Sequence, residues 1–219
     1  MDIEIWSDIA CPWCFIGKRR LESALAQFEH RDKVNIIWRS FELDPSAPPE
    51  RTGDRAERLA RKYGMTVEQA RAAEQQLVAT AAAEGLGFRF DIARSGSTVD
   101  GHRLVHLAQR HGLGDAMKER LLRAYFEQGE LIADHDALAR LAGEVGLPAD
   151  EVRAMLAGED LIDEVRDDEQ LAGELGIQAV PTFIIDRAVG VSGAQDPAML
   201  LELLRRGWER QVPAPAGAL

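Results

Sequence analysis

Polar and apolar residues alternate from the first positions of the chain. Asp2, Ile3, Glu4, Ile5 and Trp6 carry the period-two pattern of a short strand. Ser7 to Ala10 read as a loop. Phe15, Leu21, Leu25 and Phe28 then recur at helical spacing, which predicts a helix from about Pro12 to Phe28. Val34 to Leu43 (VNIIWRSFEL) has a partly continuous apolar run, the pattern of a strand covered on both faces. Trp38 and Phe41 are its candidate core residues.

The pattern changes after Leu43. Three prolines and several small polar residues between Asp44 and Gly53 mark an exit from the sheet. From Asp54 to about Gly158 the chain is rich in Ala, Arg, Glu and Leu. Helices are predicted over Asp54–Tyr63, Thr66–Glu84, Thr98–His111, Asp115–Glu127, Asp134–Val145 and Ala149–Ala157. Thr66 with Glu68 and Gln69 supplies a helix start, and Pro148 immediately precedes the last of these helices. No fixed-period repeat stands out.

A further helix is predicted from Leu161 to Leu175, closed by Gly176. Val180-Pro181 leads into the strand Thr182 to Asp186, with Ala188 to Ser192 as its hairpin partner. Asp196-Pro197 opens a last helix to about Arg210, and the tail 212–219 (VPAPAGAL) is expected to fray. The order is β-α-β, a helical block, then α-β-β-α. A parallel first strand pair needs a crossover, which the first helix supplies. The expected fold class is α/β, a thioredoxin-like fold with an inserted all-helical domain. Its parts are residues 1–43, the insertion 44–158, and residues 159–219.

Composition narrows the function. Lys and Arg number 26 against 37 Asp and Glu, a net charge of −11, so a nucleic-acid backbone and an anionic membrane are poor partners. Apolar residues make up 46% of the chain, enough for a real core. No stretch approaches the roughly 18 apolar residues of a membrane span. The acidic start lacks the basic segment of a secretory leader, which makes the cytoplasm the expected setting.

The 219 residues contain only 2 cysteines, Cys11 and Cys14. A bridge between them would close almost no loop and so would stabilise little. Zinc normally needs four ligands, and no second pair completes a site. The pair therefore reads as a reagent. Pro12 falls at the first helical position, where a missing N–H costs nothing. That places Cys11 at the positive end of the helix, which is expected to lower its pKa and make it the exposed nucleophile. Cys14, one turn on, lies on the same side within reach of a disulfide and would resolve the mixed disulfide.

Around the pair, the run Asp8 to Gly17 (DIACPWCFIG), Trp38 to Leu43 (WRSFEL), Gly101-His102-Arg103-Leu104, Val180-Pro181-Thr182-Phe183 and Gly193-Ala194-Gln195 span nearly the whole chain. Together they resemble the DsbA-type branch of the thioredoxin superfamily, and more closely the cytoplasmic FrnE-like dithiol–disulfide oxidoreductases. The family often has Ala where this chain has Gly101, and some members carry further cysteines. The resemblance implies that Pro181 is cis, sits beside Cys11 and exposes the Val180 backbone to substrate. Pro12 and Trp13 tune the pair and border the substrate. It also implies thiol or disulfide substrates, protein or small molecule, no bound metal or organic cofactor, and an external thiol couple such as glutathione to reset the pair.

Two rivals remain. A kappa-type glutathione-dependent transferase or isomerase resembles this fold but typically has Ser at the active turn. A peptide-binding or holdase module would use the Val180-Pro181 edge without redox chemistry. His102 and His106, at i and i+4, have a metal-ligand spacing but no Glu or Cys to complete a site. They read as helical-domain surface or cleft lining. Asp8 either tunes Cys11 or caps its loop, and the acidic run Asp163 to Glu169 reads as a solvated helix face.

Overall fold

The computed structural model describes residues 1–211; the expected fraying of 212–219 falls outside them. The first strand, β1 (Asp2–Ser7), is buried along almost its whole length. It pairs in parallel with β2 (Asn35–Ser40) on one side and antiparallel with β3 (Thr182–Ile185) on the other. The hairpin partner β4 (Val189–Ser192) closes the order β2-β1-β3-β4. The crossover between β1 and β2 is α1 (Pro12–Gln27), as a parallel pair requires.

Successive side chains of β1 point to opposite faces. Ile3 and Ile5 enter the main apolar cluster with Phe15, Leu200 and Leu204, beneath α1 and α9 (Pro197–Gln211). Trp6, on the other face, packs with Ala172 of α8 (Ile162–Glu174). Glu4 shares that face. Its polar identity suggests an exposed position, yet it is buried, held by Arg39 Nη2 at 2.6 Å and Arg187 Nε at 3.0 Å.

Between β2 and β3 lie seven helices: α2 (Arg55–Tyr63), α3 (Val67–Ala83), α4 (Val99–Arg110), α5 (Gly114–Gln128), α6 (His135–Val145), α7 (Ala149–Ala157) and then α8. Three of them, α2, α3 and α6, start at a side-chain cap. The Asp54 side chain accepts from Glu57 N–H, and Thr66 forms a reciprocal capping box with Gln69. The main cluster continues from Ile5 and Phe15 into Leu104, Met117, Leu121 and Phe126 of this block. Phe126 stacks on Phe88 at 4.6 Å between centroids, and Phe88 on Phe15 at 5.9 Å. Sheet and helices thus share one interior.

Two sequence expectations change here. The second strand ends at Ser40 rather than Leu43, because β1 ends opposite it and the next N–H groups go elsewhere. Glu42 N–H donates to Glu169 Oε1 at 3.1 Å, and Leu43 N–H to Asp8 Oδ2 at 2.8 Å. The acidic face of α8 is not wholly solvated either. Asp168 is buried and accepts from Ser40 N–H at 2.8 Å and from Arg39 Nη1 at 2.9 Å, with His106 Nε2 at 3.2 Å. It ties α8 to β2 and α4.

Tight packing explains the glycine at position 101. A Cβ there would lie 2.6 Å from Ile9 Cδ1 and 2.7 Å from Ile132 Cγ2. The bulk an alanine would supply is already filled by Ile9 and Ile132, and overpacking of this kind typically costs about 1–3 kcal/mol.

Candidate active site

Cys11 occupies the N-cap of α1 with extended backbone angles, φ −90 and ψ 114, and Pro12 follows at the first turn. Cys14 lies one turn on, its N–H donating to the Cys11 carbonyl at 3.1 Å. Both are free thiols. Cys11 is 5% exposed and Cys14 1%, so the expected exposed nucleophile is in fact largely buried. Access comes from shape. Cys11 lines a cleft of about 650 Å³ that Cys14 does not reach. The cleft runs from Asp8, Pro12 and Trp13 to Leu59 and Tyr63 of α2 and Leu77 of α3. Trp13, 43% exposed, stands on its rim.

Opposite Cys11 lies Val180-Pro181, whose peptide bond is cis. The Cys11 thiol donates to the Val180 carbonyl at 3.7 Å. Among the described residues the Val180 N–H has no intramolecular partner. This close approach depends on Gly17: a Cβ there would lie 2.8 Å from Pro181 Cγ and 3.3 Å from the Phe183 ring. The structure thus brings together all six residues singled out around the pair: Cys11, Pro12, Trp13, Cys14, Val180 and Pro181.

The electrostatics differ from the sequence expectation. The Cys11 thiol makes no cap bond to the helix N-terminus. Its pKa is raised, first by its hydrogen bond with Cys14 and then by burial. Burial also raises Cys14, but the hydrogen bond from Cys11, the Ser7 hydroxyl and the Lys118 ammonium outweigh it and bring Cys14 below the ordinary thiol value. Between the two thiols, negative charge is favoured at Cys14 over Cys11, because the Lys118 ammonium lies on that side.

Three polar residues beneath the pair complete the site. Asp8 is buried; its Oδ1 accepts from Ala10 N–H at 3.2 Å and faces His102 Nε2 at 3.4 Å. Burial raises Asp8, yet the His102 hydrogen bond and the Leu43 and Ala10 N–H groups leave it below the usual carboxylate value of 3.8. His102 is buried rather than on the surface, and burial pushes its imidazole pKa down. His106 turns to Ser40 and Asp168, so the two histidines do not converge. Among the described residues no three His, Cys, Asp or Glu side chains gather as metal ligands.

Lys118 of α5 is the residue that sequence reasoning missed. Its signal was legible: Leu121, Leu122 and Tyr125 follow at i+3, i+4 and i+7, which puts the lysine on the apolar stripe of its helix.

The Asp8 contacts predict a pH effect. Because its folded pKa lies below the unfolded value of 3.8, its contribution is present above that pH and is lost as pH falls through the folded value. Asp8→Asn should cost about 1–3 kcal/mol at pH 7. In urea unfolding, the gap to the wild type should narrow as the pH is taken below 3.8. A gap that stays constant with pH would remove Asp8 ionisation from the explanation.

Comparison with known proteins places the chain in a family. A family model described as a DSBA-like thioredoxin domain matches residues 2–205. The chain belongs to this family. Among solved DSBA-like structures, the probable DsbA oxidoreductase SCO1869 of Streptomyces coelicolor is 45% identical, with a TM-score of 0.91 over 100% of this chain and 99% of that one. The cytosolic disulfide reductase DsbM of Pseudomonas aeruginosa, solved with GSH, shares the fold at 21% identity, with a TM-score of 0.68 over 95% and 100% of the two chains. The uncharacterised protein YwbO of Bacillus subtilis (strain 168) is 30% identical over 191 residues, 85% of this chain and 88% of that protein. At the level of the DSBA-like family, this is a thiol–disulfide oxidoreductase acting on thiol or disulfide substrates. No helix among the described residues is long and apolar enough to cross a membrane.

Proposed function

We propose that the chain is a FrnE-like dithiol–disulfide oxidoreductase in which Cys11 exchanges with substrate and Cys14 resolves. In the oxidising direction, the Cys11–Cys14 disulfide is attacked at Cys11 by a substrate thiolate. A mixed disulfide forms and Cys14 takes the leaving electron pair. A second substrate thiolate then attacks the substrate sulfur and releases Cys11. In the reducing direction the same steps run backward.

One observation carries this proposal. Cys11 is the member of the pair that lines the cleft, and it lies beneath the Val180 carbonyl, while Cys14 is closed off behind it. The order of access matches the order of the chemistry. The unpaired Val180 N–H offers an extended substrate a backbone hydrogen bond next to the reacting sulfur, a short strand addition. Trp13 and Pro12 supply the apolar border of the cleft.

No bound metal or organic cofactor enters this scheme, because the two sulfurs hold the electrons. A glutathione couple resets the pair, and the reaction is placed in the cytoplasm. DsbM, described as a cytosolic disulfide reductase solved with GSH, supports both choices. The intact cysteine pair argues against the kappa-type alternative.

The test is equilibration of the protein in graded reduced and oxidised glutathione, with thiol labelling and tryptophan fluorescence as readouts. A single two-electron transition is expected. A midpoint of roughly −120 to −180 mV marks an oxidant or isomerase, and one near −270 mV marks a reductase. A pair that stays reduced across the whole range would sink the proposal and leave the binding-module and glutathione-dependent alternatives.

A further inference from the structure

Two lysines are buried in this protein, and their surroundings are opposite. Lys18 lies among Glu22, Asp115 and Glu119, and these carboxylates raise its pKa despite burial. Lys118 is 1% exposed, and among the described residues no carboxylate lies within ion-pair distance of it. Its one hydrogen bond is donated from Nζ to the Ser7 carbonyl at 3.0 Å. The Nζ also lies 5.4 Å from the centroid of the Trp38 ring. An ammonium without a counter-charge in such a place is costly.

The charged and titratable groups that face it come from three elements. The loop after β1 supplies Asp8, α1 supplies Cys11 and Cys14, and α4 supplies His102. Asp8 is already committed to His102, Ala10 and Leu43. His102 is held neutral by burial near neutral pH. The negative charge left for Lys118 is the one on the reduced cysteine pair. The Ser7 hydroxyl is buried with no hydrogen-bond partner, and it too favours charge on Cys14.

We propose that Lys118 is the redox-linked counter-ion of the cysteine pair: it holds a proton while Cys14 is a thiolate and sheds it when the disulfide closes. The step balances. The disulfide with neutral Lys118 reacts with two substrate thiols. The Cys11–Cys14 bond breaks, a substrate S–S bond forms, and the pair gains two electrons. Of the two protons released, one goes to the pair as a shared S–H and one goes to the Lys118 amine. The product is a thiolate–ammonium pair. Lys118 is a positioning residue for charge, since it acts through Cys14 and does not contact substrate.

Burial already lowers the Lys118 pKa to about 8 in the dithiol state, even with Cys14, Asp8 and Cys11 pulling it up. Closing the disulfide removes the cysteine contributions and leaves burial less opposed. Reduction is thereby favoured, which moves the pair toward the oxidising end of its range.

This inference rests on dithiol–disulfide exchange at Cys11 and Cys14. Lys118→Gln keeps a donor for the Ser7 carbonyl and removes the charge. In glutathione buffers, its equilibrium should shift at least tenfold toward the disulfide, about 30 mV. Its thiolate absorbance should appear at higher pH than in the wild type. A shift under twofold, with an unchanged thiolate titration, would overturn the assignment. If the variant does not fold, the wild type still decides. Lysine ε-carbon NMR should show one resonance whose proton affinity is at least tenfold lower in the oxidised protein than in the reduced one. Equal titration in both states would overturn the proposal. A wild-type pair that never oxidises would instead overturn the redox chemistry itself, and the wild-type glutathione titration reveals that separately.

Discussion

Cys11→Ser is expected to lower disulfide exchange by at least about 10⁴-fold, the scale seen when an enzyme loses its nucleophile. A serine hydroxyl neither forms a disulfide nor ionises near neutral pH. Cys14→Ser should behave differently. Cys11 still lines the cleft, so it still attacks a disulfide, expels one half as thiolate and keeps the other half, but nothing behind it releases the adduct. With oxidised glutathione, the Cys14→Ser protein should accumulate a stable adduct on Cys11, read by intact-protein mass spectrometry. The Cys11→Ser protein should form little, because Cys14 is closed off from the cleft. Equal labelling of both variants would mean that the cleft does not order the two cysteines as proposed.

The second large effect concerns stability, at a site away from the sulfurs. Asp168→Ala should cost about 3–5 kcal/mol, because it breaks a buried charge network and leaves its partners in place. Ser40 N–H loses its partner, His106 keeps only the Ser40 hydroxyl, and Arg39 loses one of its two carboxylates, the other being Glu4. Asp168→Asn should cost less, since its amide oxygen can still accept from Ser40 N–H. Urea denaturation followed by far-UV circular dichroism measures both. A loss under about 1 kcal/mol for the alanine variant would show that α8 is held to β2 by apolar packing alone.

Much of this architecture was legible in the chain. The strands and helices lie within a few residues of their predicted places, because their apolar periods and caps agree. Thr66 and Gln69 form the capping box that their spacing implies. The cysteine pair was legible too, since Pro12 fixes the start of α1 directly after Cys11. What sequence could not show was the ground beneath the pair. Asp8, His102 and Lys118 are 16 or more positions apart in sequence and meet only because α4 and α5 pack against β2 and the loop after β1.

The low pKa expected of Cys11 failed for the same reason. The helix N-terminus is a local signal, whereas the Lys118 charge that favours Cys14 arrives from a distant segment. Asp168 reads as one more acidic residue on an acidic helix. Its burial is set by Ser40 and Arg39, 128 and 129 positions away.

The strand order also bears on how the chain is made. Of the sheet's four strands the internal β1 is made first, yet its second neighbour, β3, begins at Thr182. Through most of synthesis Ile3 and Ile5 belong to a half-built sheet with an open flank, the kind of edge that recruits other chains. Eight helices, α1 to α8, must be made before that flank can close. Pairing across such a separation in sequence is slow. The nascent chain therefore offers chaperones a long window, and truncation anywhere before β3 should yield an aggregating product, not a smaller working domain.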